Sequence, residues 1–144
     1  MFQRDFLVNE ARKFAELLAR LMGLKAEGLM VEFNKETDDL LQKEYDITLE
    51  RLLALPLDDF REDIERSTYN SHSPEKLNAL SQILYVFAEP FADDDETASL
   101  LKKVLIIFEV LEQKHHFQSF DNVAKQKFIH QYFIEHVRPH LENL

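Results

Sequence analysis

Leu77-Asn78-Ala79-Leu80-Ser81-Gln82-Ile83-Leu84 is followed, beyond an acidic break at Asp93 to Glu96, by Thr97, Leu101 and Val104. Leu77, Leu80 and Leu84 recur at i, i+3 and i+7 with the small Ser81 among them, which lays one inward stripe along a helix. Thr97, Leu101 and Val104, at i, i+4 and i+7, face inward from a partner helix. Two such helices form a helix-turn-helix unit that buries one face and leaves another for contact. The ends of the unit carry their own signals. The Ser73 oxygen can accept from exposed amides, Pro74 occupies a first-turn position where its missing N–H leaves nothing unsatisfied, and Glu75 suits the helix dipole. Pro90 predicts a stop or kink, because its ring would meet the carbonyl of Val86 in a continuing helix. Asp93, Asp94 and Asp95 cap the helix that follows.

The helical period extends outward on both sides. Leu7, Ala11, Phe14, Leu18 and Leu21 form one stripe of a first helix, which Gly23 ends by accepting positive φ. A second helix is expected from Gly28 to Glu44, with Phe33, Leu40 and Leu41 inward and Glu32, Glu36 and Asp39 outward. A short third follows from Thr48 to Leu55. Pro56 opens a fourth, whose Asp58 and Asp59 complement the dipole and whose Phe60 and Ile64 face the core. Ser67 to Ser73 has the composition of a loop. Leu100 to Leu111 is apolar round most of its circumference, so the sixth helix should be the central one. Ser119 caps a seventh, with Val123, Phe128, Ile129, Tyr132, Phe133 and Val137 inward, which Pro139 ends. No strand pattern of useful length occurs, and two glycines leave little material for tight β-turns. The expected fold is all-α, a single domain over residues 1–144 with six to seven antiparallel helices in a repeat arrangement. Ordinary antiparallel bundle packing is the alternative.

Composition narrows the function classes. The chain has no cysteine, which removes disulfides, thiolate metal sites and a cysteine nucleophile. Its net charge is −10, both halves are acidic, and no basic stripe is interleaved with aromatics, so no nucleic-acid partner is expected. Arg4 and Asp5 interrupt the apolar residues between Met1 and Val8, unlike a secretory signal. Val104 to Phe108, the longest strongly apolar run, is too short for a bilayer, and no membrane partner is expected. These features predict a soluble, cytoplasmic protein.

The opening Met1-Phe2-Gln3-Arg4-Asp5-Phe6-Leu7 and the amphipathic stretch ending at Gly23-Leu24 resemble a group of small uncharacterised bacterial helical proteins that contain tetratricopeptide-like helix pairs. Leu52 to Phe60, Ser73 to Leu77 and Leu101 to Phe108 are similar to the same pattern. Within that likeness, Leu77, Leu80, Ser81 and Leu84 match the large, large, small, large order of a tetratricopeptide first helix, and Leu101 and Val104 match the second. Thr97 and Val104 depart from the usual small alanines, four residues are added between the helices, and Phe33 is bulky where alanine is expected beside Thr37 and Leu40. The resemblance implies a divergent helical repeat and brings no established activity.

The repeat register marks a candidate partner-binding stripe. Glu75, Asn78, Gln82 and Tyr85 follow i, i+3, i+7 and i+10 beside the buried leucines, and the matching positions of tetratricopeptide proteins line a concave groove. Amide and phenol groups there could bond an extended peptide, and the tyrosine ring could add apolar contact. The search for chemistry finds no catalytic constellation. Glu112-Gln113-Lys114-His115 has the Glu-x-x-His form of a di-iron bundle, but no second copy accompanies it. His136 and His140 share i, i+4 spacing near His130, and could meet a metal only if Pro139 does not end the helix. The acidic run from Asp93 to Glu96 lacks the ligand alternation and glycine of a calcium loop. The sequence therefore predicts a noncatalytic protein-protein interaction module without cofactor, whose partner is an unidentified protein or peptide. The alternative is a small metal-binding bundle or metalloenzyme using Glu112, His115 and the C-terminal histidines.

Overall fold

The computed structural model describes residues 2–70 and 73–142, and the side chains of residues 9–66 and 73–136. Its elements are α1 (Phe2–Ala26), α2 (Met30–Tyr45), α3 (Leu49–Ala54), α4 (Leu57–Asn70), α5 (Pro74–Ala88), α6 (Asp95–His115) and α7 (Phe120–Glu142). The described residues are all-α, as expected. Local chemistry sets most of the boundaries. Thr48 Oγ1 accepts from the Arg51 amide at 3.1 Å, Ser73 Oγ from Lys76 at 3.2 Å, Asp94 Oδ1 from Thr97 at 2.7 Å and Ser119 Oγ from Asn122 at 3.0 Å. Each side-chain oxygen satisfies an amide that its helix leaves unpaired. The bond to Thr97 holds the Asp94 carboxyl below the usual range. α5 stops at Ala88, just before Pro90.

Four expectations are corrected. Gly23 does not end α1; the left-handed residue is Gly28, at φ 76°. Leu24 packs against the core and Lys25 reaches α5, and these contacts outweigh the roughly 0.5–1 kcal/mol that a mid-helix glycine costs relative to alanine. The loop-like Ser67 to Asn70 continues α4, while Ser71 and His72 lie outside the described residues. Pro139 lies within α7. Phe128, expected inward, is 62% exposed, because α7 turns Ile129 and Tyr132 toward the core instead. Leu7, Val137 and His140 lie outside the residues whose side chains are described.

Cross-helix pairs set the helix directions. Lys13 meets Glu44 at 2.5 Å and Arg20 meets Glu36 at 2.5 Å, so α1 and α2 are antiparallel. Lys25 Nζ donates to the Val86 and Phe87 carbonyls at 2.5 and 3.1 Å, while Ala11 and Phe14 lie beside Glu75 and Asn78. α1 and α5 therefore run parallel. Glu44, whose side chain is only 8% exposed, also lies 3.9 Å from Lys76 and ties the start of α5 to the α1–α2 pair.

Two apolar clusters fill the interior. The larger joins α2 through α7 about α6, with Leu77 and Leu84 facing Leu101, Val104, Ile107 and Phe108. α6 is the central helix expected from its sequence, and its most extensive contact is with α5. The smaller cluster places Leu21 of α1 and Phe33 and Leu40 of α2 against Ile83 and Val86 of α5. Lys103 is fully buried in the larger one. Its ammonium donates to the carbonyls of Leu52 and Leu53 at 3.0 and 3.4 Å and to Ser99 Oγ at 3.3 Å. It thus satisfies the end of α3 from another helix. Burial pushes the Lys103 ammonium below its ordinary pKa, and burial does the same to Lys25, where Glu89 acts in the opposite direction.

Candidate functional site

The parallel helices α1 and α5 do not close fully against each other. Ala11 and Ala15 on α1 and Ala79 on α5 are too small to fill the space between the helix axes, and a groove of about 330 Å³ remains. Phe14 and Leu18 line one wall, Ile83 lies on the other, and Phe117 reaches in from the turn between α6 and α7. Glu75, Asn78 and Gln82 face this groove. Three of the four candidate partner-binding residues are therefore brought together as the register predicts.

Tyr85 is not with them. It lies further along α5, beyond Gln82, and lines a separate cleft with Phe128 and Tyr132 of α7. Gln82 and Tyr85 are also less accessible than a free stripe would be, at 9% and 7% exposure, with Glu75 and Asn78 half-buried. The cause is the return of α7. Asn122 in its first turn donates to Asn78 Oδ1 at 2.8 Å and accepts from Gln82 Nε2 at 3.0 Å, and Gln82 Nε2 also lies 3.1 Å from Ser81 Oγ. One turn later the Lys125 ammonium sits 5.2 Å from the centre of the Tyr85 ring. Amides available to a partner in an isolated α5 thus bond one another and α7, leaving the groove with apolar walls and a polar floor. Asn122 escaped the sequence reading, although its place three residues after the Ser119 cap could have pointed to it.

The histidines are dispersed in their contacts. Glu112 Oε1 accepts from Gln126 Nε2 at 3.0 Å, which engages the carboxylate of the Glu-x-x-His pattern. His115 Nε2 is buried without a hydrogen-bond partner. His136 stacks on Tyr132 at 4.2 Å between ring centroids, and its Nδ1 lies 2.7 Å from the Tyr132 carbonyl. Among the described residues no three His, Asp or Glu side chains converge on a common point. Among the same residues no helix is long and apolar enough to cross a membrane.

The buried amine of Lys103 also went unremarked in the sequence. Its signal is weak, since it is one of three charged residues, with Lys102 and Glu109, in the mostly apolar segment Leu100 to Leu111. Its fixed bonds to backbone carbonyls give it a structural role at the end of α3. Comparisons of the chain with protein-family models, with curated proteins and with solved structures each return no match.

Proposed function

We propose that this protein is a noncatalytic interaction module, a divergent tetratricopeptide-like repeat in which α1–α2 and α5–α6 are the helix pairs, separated in the chain by α3 and α4. The observation that carries the reading is the groove between α1 and α5. These are the first helices of the two pairs, they run parallel, and α2 packs against α5 through Phe33, Leu40, Ile83 and Val86. First helices line the recognition face of such repeats, and here they leave a trough with apolar walls and a single carboxylate at Glu75. The partner on this reading is a protein segment that places an apolar side chain between Ala15 and Ala79, where shape and desolvation supply the affinity. The same reading assigns the protein to the cytoplasm, with which its cysteine-free composition is compatible.

The test fills the groove without touching the core. Ala15 is exposed, so Ala15→Trp should preserve helical content and Tm. Partners are captured from native cells by cross-linking, identified by mass spectrometry and titrated as purified proteins against both forms. A loss of about tenfold or more in affinity, the scale of a central contact in an interface, is expected for Ala15→Trp. Arg66→Ala, at an exposed position of α4 outside the groove lining, should bind as the wild type does. Equal binding by Ala15→Trp removes this groove as the recognition face.

A further inference from the structure

Tyr85, Phe91, Phe128 and Tyr132 line a second cleft, of about 420 Å³, between the end of α5 and the middle of α7. This volume falls within the roughly 300–1,000 Å³ typical of small-molecule sites. Tyr85 meets Phe91 edge to face at 5.3 Å between ring centroids, and Phe91 meets Tyr132 in the same manner at 5.8 Å. The Tyr132 hydroxyl donates to the Ala92 carbonyl at 2.8 Å, which fixes one ring of this wall. Phe128, exposed on α7, also lines the cleft.

The charges of the lining are of one sign. Glu89 and Glu135 are both exposed and both line the cleft, with no lysine or arginine among the lining residues; His136, which also lines it, lies stacked on the Tyr132 ring. The Lys125 ammonium near the Tyr85 ring is engaged by Asp121 Oδ2 at 2.5 Å. Burial raises the Tyr132 hydroxyl pKa, and beyond the cleft the negative charges of Asp93, Asp94 and Asp95 add to that rise. Aromatic faces and carboxylates attract the same kind of ligand, a cation with little hydration to lose. A hard metal ion needs several converging oxygens, which the described residues do not supply here.

We propose that this cleft binds a small organic cation bearing a quaternary or methylated ammonium group. Phe91 and Phe128, the more accessible rings of the lining, offer the aromatic surface to the methyl groups, Tyr85 and Tyr132 hold Phe91 in place from behind, and Glu89 and Glu135 supply the longer-range attraction. Nothing in this assignment depends on a partner at the α1–α5 groove.

The experiment is calorimetric titration of the full chain with choline and with 3,3-dimethylbutan-1-ol, which has the same shape and no charge. Choline should bind saturably, and the uncharged alcohol about tenfold more weakly or less. Phe128→Ala and the double change Glu89→Gln with Glu135→Gln alter exposed residues, and each should weaken choline several-fold at unchanged Tm. Absence of saturable choline binding up to about 10 mM would overturn the proposal. Equal affinity for the alcohol, or choline binding that ignores these substitutions in the folded variants, would overturn it as well.

Discussion

The larger cluster about α6 and the smaller one between α1, α2 and α5 use the same device at different depths. In each, a lysine from one helix satisfies the carbonyl end of another: Lys103 for α3 and Lys25 for α5. Lys103 is fully buried, whereas Lys25 is half-buried, with its ammonium 5.1 Å from the centre of the Phe33 ring. The smaller cluster is reinforced instead by ion pairs, a largely buried one through Glu44 held by Lys13 and an exposed one through Arg20 held by Glu36. The difference teaches that α5 and α6 anchor the fold chiefly by apolar burial. α1 and α2 add to their smaller apolar contact the Glu44 ion pairs and the Lys25 clasp on the end of α5.

Substitutions at the two clusters should separate accordingly. Phe108→Ala, in the centre of the larger cluster, should cost about 3–5 kcal/mol, and Leu21→Ala, in the smaller, about 2–3 kcal/mol, both read from denaturant unfolding. A larger loss at Leu21 would reverse the ranking and make the α1–α2 pair the true anchor. Next comes Glu44→Gln, which leaves Lys13 and Lys76 without their shared carboxylate and should cost about 1–3 kcal/mol. If Tm and the denaturant midpoint do not move, α2 is held to α5 by apolar contact only.

The lysines give a pH signature. A buried ammonium whose pKa is lowered in the folded protein is bound by fewer protons there than in the unfolded chain, so stability rises as pH climbs from that lowered value toward the ordinary lysine range. The wild type should therefore gain stability over Lys103→Met as the buffer is taken from neutral to alkaline pH. Comparison between the two cancels the other titrating groups common to both. A pH-independent difference would mean that Lys103 enters the fold without losing its proton affinity. The smallest effect belongs to Arg20→Gln, at an exposed ion pair, which should leave Tm essentially unchanged.

Much of the fold was legible because helices are written locally. The caps at Ser73, Asp94 and Ser119 follow from single side chains and the amides beside them. The central place of α6 follows from an apolar circumference between Leu100 and Leu111. Where local signals were weak, tertiary contact overrode them: Gly23 stayed helical because Leu24 and Lys25 had partners to reach. Phe128 and Ile129 are neighbours in sequence, and nothing local says which of two apolar residues will face a helix that is not adjacent in the chain at that point.

The candidate site divides along the same line. Its membership on α5 could be read from the spacing of Glu75, Asn78 and Gln82, since a helix carries residues at i, i+3 and i+7 on one side whatever surrounds it. Which part of that side would remain open depended on the parallel approach of α1 and on the return of α7, bonds of Asn122 to residues some forty positions earlier. By itself the sequence determined the helices, their caps and the inward leucines, because each rests on forces acting within a few turns. Only the tertiary structure decided that Tyr85 joins Phe91 and Tyr132 while Gln82 turns to the groove, because that choice lies in the packing of helices distant in the chain.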